Sequence, residues 1–375
     1  MQRSLRRCVA TNGHPAAPIT DRILLLSLDP TSSPPRAPLL GRPIQVSRYT
    51  VAETRTSTRI LPSTRVPIPQ FVPPAIGTNI ASATRVLPHA LRRSYLPMLL
   101  QAASLDRRIS QALPRNDVVS EQSALCKLML RRSASFTASI HNGVLFFANH
   151  VPERKRYPVP ARTIHFRNAC RQRSASKSNT HLTATTVLSR ALGGLNLLIA
   201  SPVECVSPAH AQAVKHVVER APPTSVQLLA ATAPALSAIS PMRLKEAFFS
   251  ALLSDTRTTF VGLLDDNLVL RETHTLSRDA LLAALPNPQW SPLPGIGRAY
   301  RTLSALRDHL QEQEDADGVA ARQTGTQPAK ARWRVELVAT AVEREEDGAV
   351  EVYVQRLDEP AEDDLTNALP DFSQY

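Results

Sequence analysis

The chain has 375 residues with 44 Lys+Arg against 32 Asp+Glu, a formal net charge of +12, and 43% hydrophobic residues. That is enough apolar material for a buried core, while no apolar run approaches the roughly 18 residues of a bilayer-crossing helix, so no membrane span is expected. Its four cysteines (Cys8, Cys126, Cys170 and Cys205) are far apart and never form CxxC, which excludes a disulfide framework and a zinc ribbon.

The charge is polar along the chain. Residues 1–190 hold 28 basic against 7 acidic side chains, and residues 191–375 hold 16 against 25. Only 6 of the 44 basic residues are lysine. Arginine's planar fork suits bidentate contact with phosphate, so the basic half points to a nucleic acid.

Residues 1–20 carry Arg3, Arg6 and Arg7 and no acid before Asp21, the Arg-rich pattern of a mitochondrial transit segment. Residues 21–116 follow as a Pro-rich basic stretch, with 14 of the 31 prolines in residues 1–100. Proline lacks the backbone donor and restricts its predecessor, so an extended arm lying on another surface is expected, with one short helix near 89–113 broken at Pro97. An α/β domain is expected over 117–288. It opens with a helix at 119–134 and a strand at 135–151.

Residues 153–181 are the densest basic segment. Arg154, Lys155, Arg156, Arg162, Arg167, Arg171, Arg173 and Lys177 are interleaved with Tyr157, His165 and Phe166. Phosphate attraction beside rings for stacking is the composition of an RNA-contacting loop. Next, TATTVLSRALGG reads as a short helix ended by Gly193 and Gly194, and LNLLIAS (195–201) as a buried strand. A Ser-Pro helix start at 207–221 precedes a strand at 225–233, a second Ser-Pro helix at 240–255, and a strand–turn–strand over 258–270. A helix over 277–287 and a longer one within 289–317 follow. Ile296, Tyr300, Leu303, Leu306 and Leu310 form an apolar stripe on the latter. That stripe suits a partner helix and equally suits packing on its own domain. Residues 318–375 read as an acidic β-hairpin at 332–357 with an acidic tail. The expected architecture is an α/β sandwich with a long Pro-rich basic N-terminal arm and a C-terminal acidic β-hairpin extension.

Catalytic signatures are sparse. There is no GxxxxGK[ST], HExxH or GxSxG, and Gly295 and Gly297 follow a proline rather than a strand. Asp265 and Asp266 are neighbours in a turn, and Cys205 reads as a small buried thiol before a helix. No enzyme, cofactor or metal is expected from the residues.

THLTATTVLSRALGG with LNLLIAS, TTFVGLLDDNLVL, and SRDALLAALPNP with the helix after it resemble segments of the large-subunit ribosomal protein ten family in its mitochondrial form. The resemblance covers about half the chain, and residues 225–255 allow a second register. It implies a structural protein at the stalk base of the mitochondrial large ribosomal subunit, in the matrix. The implied partners are large-subunit ribosomal RNA, large-subunit protein eleven and stalk-protein dimers of the seven/twelve type, the dimers docking on Ile296, Tyr300, Leu303, Leu306 and Leu310. The alternative is another mitochondrial ribosomal or ribosome-assembly RNA-binding protein with no stalk role.

Overall fold

A computed structural model of the chain describes residues 23–28, 40–53, 58–62, 68–81, 95–130, 133–150, 161–171, 181–207, 225–324, 332–339 and 350–357. It is mixed α/β. The Pro-rich stretch contributes three strands, β1 (Ile23–Leu28), β2 (Ile44–Glu53) and β3 (Thr58–Pro62), and two short helices, α1 (Leu96–Ala103) and α2 (Arg107–Ala112). Pro97 sits in the first turn of α1, where its missing N–H has no intrahelical partner to lose.

The middle of the chain runs β4 (Val118–Glu121), α3 (Gln122–Met129), β5 (Ala134–His141), β6 (Val144–Asn149) and α4 (Ala161–Ala169). Then come β7 (His181–Leu192), β8 (Leu195–Val203) and the two-residue β9 (Cys205–Val206). In the unit β10 (Ser225–Thr232), α5 (Pro241–Ser254), β11 (Thr258–Leu264) and β12 (Leu270–Ser277) the first three elements follow the sequence reading, while the return strand begins at Leu270, where the reading ended it. The chain continues through α6 (Arg278–Ala283), α7 (Leu293–Thr324), β13 (Arg332–Ala339) and β14 (Val350–Leu357).

Two sheets result among the described residues. The larger has the order β1-β14-β13-β5-β6-β4-β8-β7-β2-β3, and the smaller β12-β11-β10-β9. Strand β4 lies parallel to both β6 and β8, and β10 lies parallel to β11. β8 leaves the large sheet at Val203 and β9 enters the small one at Cys205, so the single residue Glu204 joins the sheets.

Helices cover both faces of the large sheet, which is why LNLLIAS is apolar without alternation. Val119, Phe146, Leu198 and Ala200 face Leu96, Leu99 and Ile109 of α1 and α2. On the other face Val118, Leu145, Phe147, Leu197 and Ile199 meet α3, α5 and α7.

Residues 183–194 overturn the expected helix. Thr183, Thr185, Thr186 and Val187 are β-branched, a class stiff at χ1 that packs well on a pleated surface. They run in β7, paired antiparallel with β8 from Leu192↔Leu195 back to Ala184↔Val203. Gly193 and Gly194 form a two-residue hairpin turn rather than a helix cap, with Gly193 at φ 59°.

Helix α7 corrects a second expectation. Ile296, Leu303, Leu306 and Leu310 are buried in the chain's own core, and Tyr300 packs half-buried against it. A stripe with four members buried in the chain's own core and the fifth packed against it is not a free docking face for stalk-protein dimers. The hydrophobic driving force for the helix is met within the chain.

Arginine closes two joints of this core. Arg190 on β7 is buried and donates to the Gly41 carbonyl from Nη2 (2.7 Å) and Nε (3.1 Å), and from Nη1 to those of Leu252 (2.6 Å) and Leu253 (3.1 Å). Burial pushes its pKa down to about 10, so it stays charged at neutral pH against the carbonyl end of α5. Arg298 donates to the carbonyls of Leu128 (3.1 Å) and Met129 (2.5 Å), closing the end of α3 in the same way.

Candidate nucleic-acid interface

Because β4, β6 and β8 are parallel, their carboxyl ends converge on one edge, the place where open α/β sheets commonly receive ligands. Glu121 ends β4, Asn149 ends β6, and Glu204 follows β8. Helix α4 lies beside that edge, on the outer face of the small sheet. Phe166, fully buried, holds it there, stacked on Phe260 with ring centroids 6.0 Å apart. Phe71, from the Pro-rich stretch, meets the same Phe260 ring edge-on at 4.8 Å. Gly262 makes this approach available, since a Cβ there would stand 2.2 Å from the Phe166 ring.

The apolar anchor sets the direction of the arginines beside it. Arg167 Nη2 pairs with Glu204 Oε1 at 2.5 Å, while Glu204 Oε2 accepts the Leu228 N–H. Arg171 lies two residues beyond the end of α4, in an antiparallel bridge with Phe71. Its pKa is lowered by burial and by the neighbouring Arg167 charge, and raised by Glu204. Arg162 reaches Thr232 Oγ1 at the end of β10, at 3.4 Å. Arg243 of α5 donates to the Ala230 carbonyl at 2.5 Å, and its pKa is lowered by burial and by the nearby charge of Arg162. Arg162, Arg167 and Arg171 each keep a buried Nε with no acceptor among the described residues. An orphaned buried donor costs about 1–3 kcal/mol, and an anionic oxygen relieves it.

The remaining polar groups of the edge form a closed clasp. Glu121, 1% exposed, accepts the Tyr95 N–H at 2.5 Å on Oε2, and on Oε1 the Asn149 backbone N–H at 3.1 Å and the Asn149 amide. Lys127 Nζ donates to Asn149 Oδ1 at 2.6 Å. Gln122 donates to the Ser250 carbonyl (2.6 Å) and hydroxyl (2.7 Å) and accepts from Ser201 Oγ (3.0 Å). Cys170 and Cys205 are buried thiols, and burial pushes the pKa of Cys205 up to about 12, which leaves no nucleophilic thiolate there.

Of the residues named from sequence for RNA contact, Arg167 and Arg171 stand beside Glu204 at this edge, while Arg162 stands at the end of β10 in the small sheet. Arg154, Lys155, Arg156, Arg173 and Lys177 lie outside the described residues. Glu121, Gln122, Asn149 and Glu204 were not found by sequence reasoning. They come from strands far apart in the chain, and no spacing rule links them.

No family model matches the sequence, and no curated protein is similar to it in sequence. The fold does have solved counterparts. Schizosaccharomyces pombe Rai1 in complex with 3′-FADP superposes with a TM-score of 0.62 at 12% identity, over 89% of this chain and 100% of that one. Candida albicans Rai1 in complex with pU5 and Mn²⁺ gives 0.54 at 11%, over 90% and 92%. Kluyveromyces lactis Dxo1 in complex with manganese gives 0.56 at 10%, over 87% and 96%.

These matches correct the resemblance drawn from short motifs. The fold over nearly the whole chain is shared with Rai1 and Dxo1 and not with the large-subunit ribosomal protein ten family. The stalk-base function falls with it, together with its ribosomal partners: ribosomal RNA of the large subunit, large-subunit protein eleven and the stalk-protein dimers. The expectation that this is no enzyme does not stand either, since the fold matched is that of Rai1 and Dxo1 rather than of a ribosomal protein. Among the described residues no helix is long and apolar enough to cross a membrane.

Two of the structural counterparts hold manganese, and the donor set here does not fit such an ion. Among the described residues no three His, Cys, Asp or Glu side chains group as metal ligands. The two carboxylates at the edge, Glu121 and Glu204, have both oxygens engaged by N–H donors.

Proposed function

We propose that this chain is an RNA-processing protein that holds the phosphates of an RNA strand along the carboxyl-terminal edge of β4, β6 and β8. The observation that carries the proposal is the set Arg162, Arg167 and Arg171, on and just beyond a helix anchored by the Phe166–Gly262 contact, each with a buried Nε that has no acceptor among the described residues. Guanidinium groups hold phosphate oxygens by charge-assisted, bidentate hydrogen bonds. The shared fold supports the same reading, since a counterpart was crystallised with pU5.

Fluorescence anisotropy of a labelled, 5′-phosphorylated oligouridylate against the full-length protein tests it. The wild-type chain binds, and Arg162→Ala and Arg171→Ala each weaken binding about tenfold with a shallower salt dependence. Equal affinity of wild type and both variants would sink the reading. The Arg-rich residues 1–20, outside the described residues, support mitochondrial import. Microscopy of the tagged full chain against a variant with Arg3, Arg6 and Arg7 replaced by serine tests that.

A further inference from the structure

We infer that the strand-end site takes RNA phosphate on guanidinium groups alone, with no divalent cation between protein and phosphate. The inference rests on the RNA reading just given and departs from the manganese-containing counterparts. A hard divalent cation requires several free oxygen ligands, usually including carboxylates, at about 2.0–2.6 Å. Each candidate oxygen here already faces a hydrogen-bond donor. Glu121 is wrapped by the Tyr95 and Asn149 N–H groups, Asn149 Oδ1 by the Lys127 ammonium, Gln122 Oε1 by Ser201, and Glu204 by Arg167 and the Leu228 N–H. To enter, a cation must strip these donors and sit beside Lys127 and Arg167.

The charges at the edge point the same way. Arg167 and Arg171 pair beside Glu204, and Arg162 and Arg243 pair at the end of β10, each pair close enough that Arg167 depresses the pKa of Arg171 and Arg162 that of Arg243. Such a cluster repels a metal ion and draws an anion. The donors a phosphate would otherwise find in a cation and its waters are supplied by the arginine forks.

The experiment is oligouridylate binding to the full-length protein, followed by anisotropy in EDTA and, in parallel, in excess Mn²⁺. Calorimetric titration of the RNA-free protein with Mn²⁺ alone accompanies it. The expected result is a Kd equal in both buffers, no heat of Mn²⁺ binding, and about a tenfold loss for Arg171→Ala in both buffers, with Arg171→Lys recovering only part of it. Binding that appears only with Mn²⁺, or stoichiometric Mn²⁺ uptake lost in Glu204→Gln, overturns the inference and leaves the RNA reading standing. Absence of RNA binding in both buffers overturns the RNA reading and this inference with it. Should Arg171→Ala fail to fold, Arg162→Gln, at the periphery of α4, gives the same comparison.

Discussion

Arginine is used in two opposite ways at two ends of this molecule. At the joint of β7, α5 and Gly41, Arg190 spends its donors on three backbone carbonyls, and Arg298 does the same for the end of α3. By contrast, Arg162, Arg167 and Arg171 each retain an Nε with no acceptor among the described residues. The residue type is the same. The difference is whether the fold brings a helix terminus to the guanidinium. Where it does, arginine clamps that terminus, and where it does not, it keeps a donor open for the proposed phosphate contact.

Substitutions can break this contrast at either end. The largest effect is expected for Arg190→Ala, which removes the side-chain donor from the carbonyls of Gly41, Leu252 and Leu253. Chemical denaturation should show a loss of about 4 kcal/mol, while the RNA affinity of the remaining folded protein stays unchanged. Any selective loss of RNA affinity would erase the distinction between clamp and proposed phosphate contact. Leu306→Ala, fully buried in the large-sheet core, should cost about 3 kcal/mol through the cavity it leaves. It should do so with no change in oligomeric state by gel filtration, as befits a core residue and not a docking face.

Gly262→Ala acts between the two regions. Its Cβ would collide with the Phe166 ring, so α4 and its arginines must shift. A loss of about 2 kcal/mol in stability is expected, together with weaker RNA binding, and Phe166→Leu in the same chain should recover part of both. Arg171→Ala should change stability little and lower the slope of log affinity against log salt by about one. An unchanged slope would mean that Arg171 meets no phosphate.

The smallest effect concerns pH. Burial raises the Cys205 thiol from 9.0 to about 12, so the folded state favours the neutral thiol. Its stabilising share is complete below about pH 9 and is lost as pH rises through about 12. Melting curves across the alkaline range should therefore fall more steeply for the wild type than for Cys205→Ala.

Local chemistry made part of this protein legible. The Ser-Pro helix start of α5 and the apolar strands β10 and β11 around it follow from capping residues, proline and hydrophobic runs read within about thirty residues. The basic segment was legible for the same reason, and three of its arginines stand at the candidate site. Strand β7 was not legible as a strand, because TATTVLSRAL carries helix-compatible apolar spacing and its Gly-Gly end serves a helix cap or a hairpin equally well. Pairing with both β2 and β8 decided it. The clasp of Glu121, Gln122, Asn149 and Glu204 had no sequence signal at all, since parallel strands with long crossovers bring distant residues to one edge.

By itself, then, the sequence determined the strand–helix–strand alternation over 225–264, the burial of the Cys205 thiol and the concentration of positive charge before residue 190. Only the tertiary structure decided that the α7 stripe faces inward and that Arg190 meets three carbonyls while the Arg171 Nε meets no acceptor among the described residues. It also turned the carboxylates of the strand-end edge toward N–H donors. The physical reason is common to all of these. A side chain's role depends on which satisfied or unsatisfied backbone groups lie within about 3 Å of it, and that neighbourhood is assembled from segments tens to hundreds of residues apart.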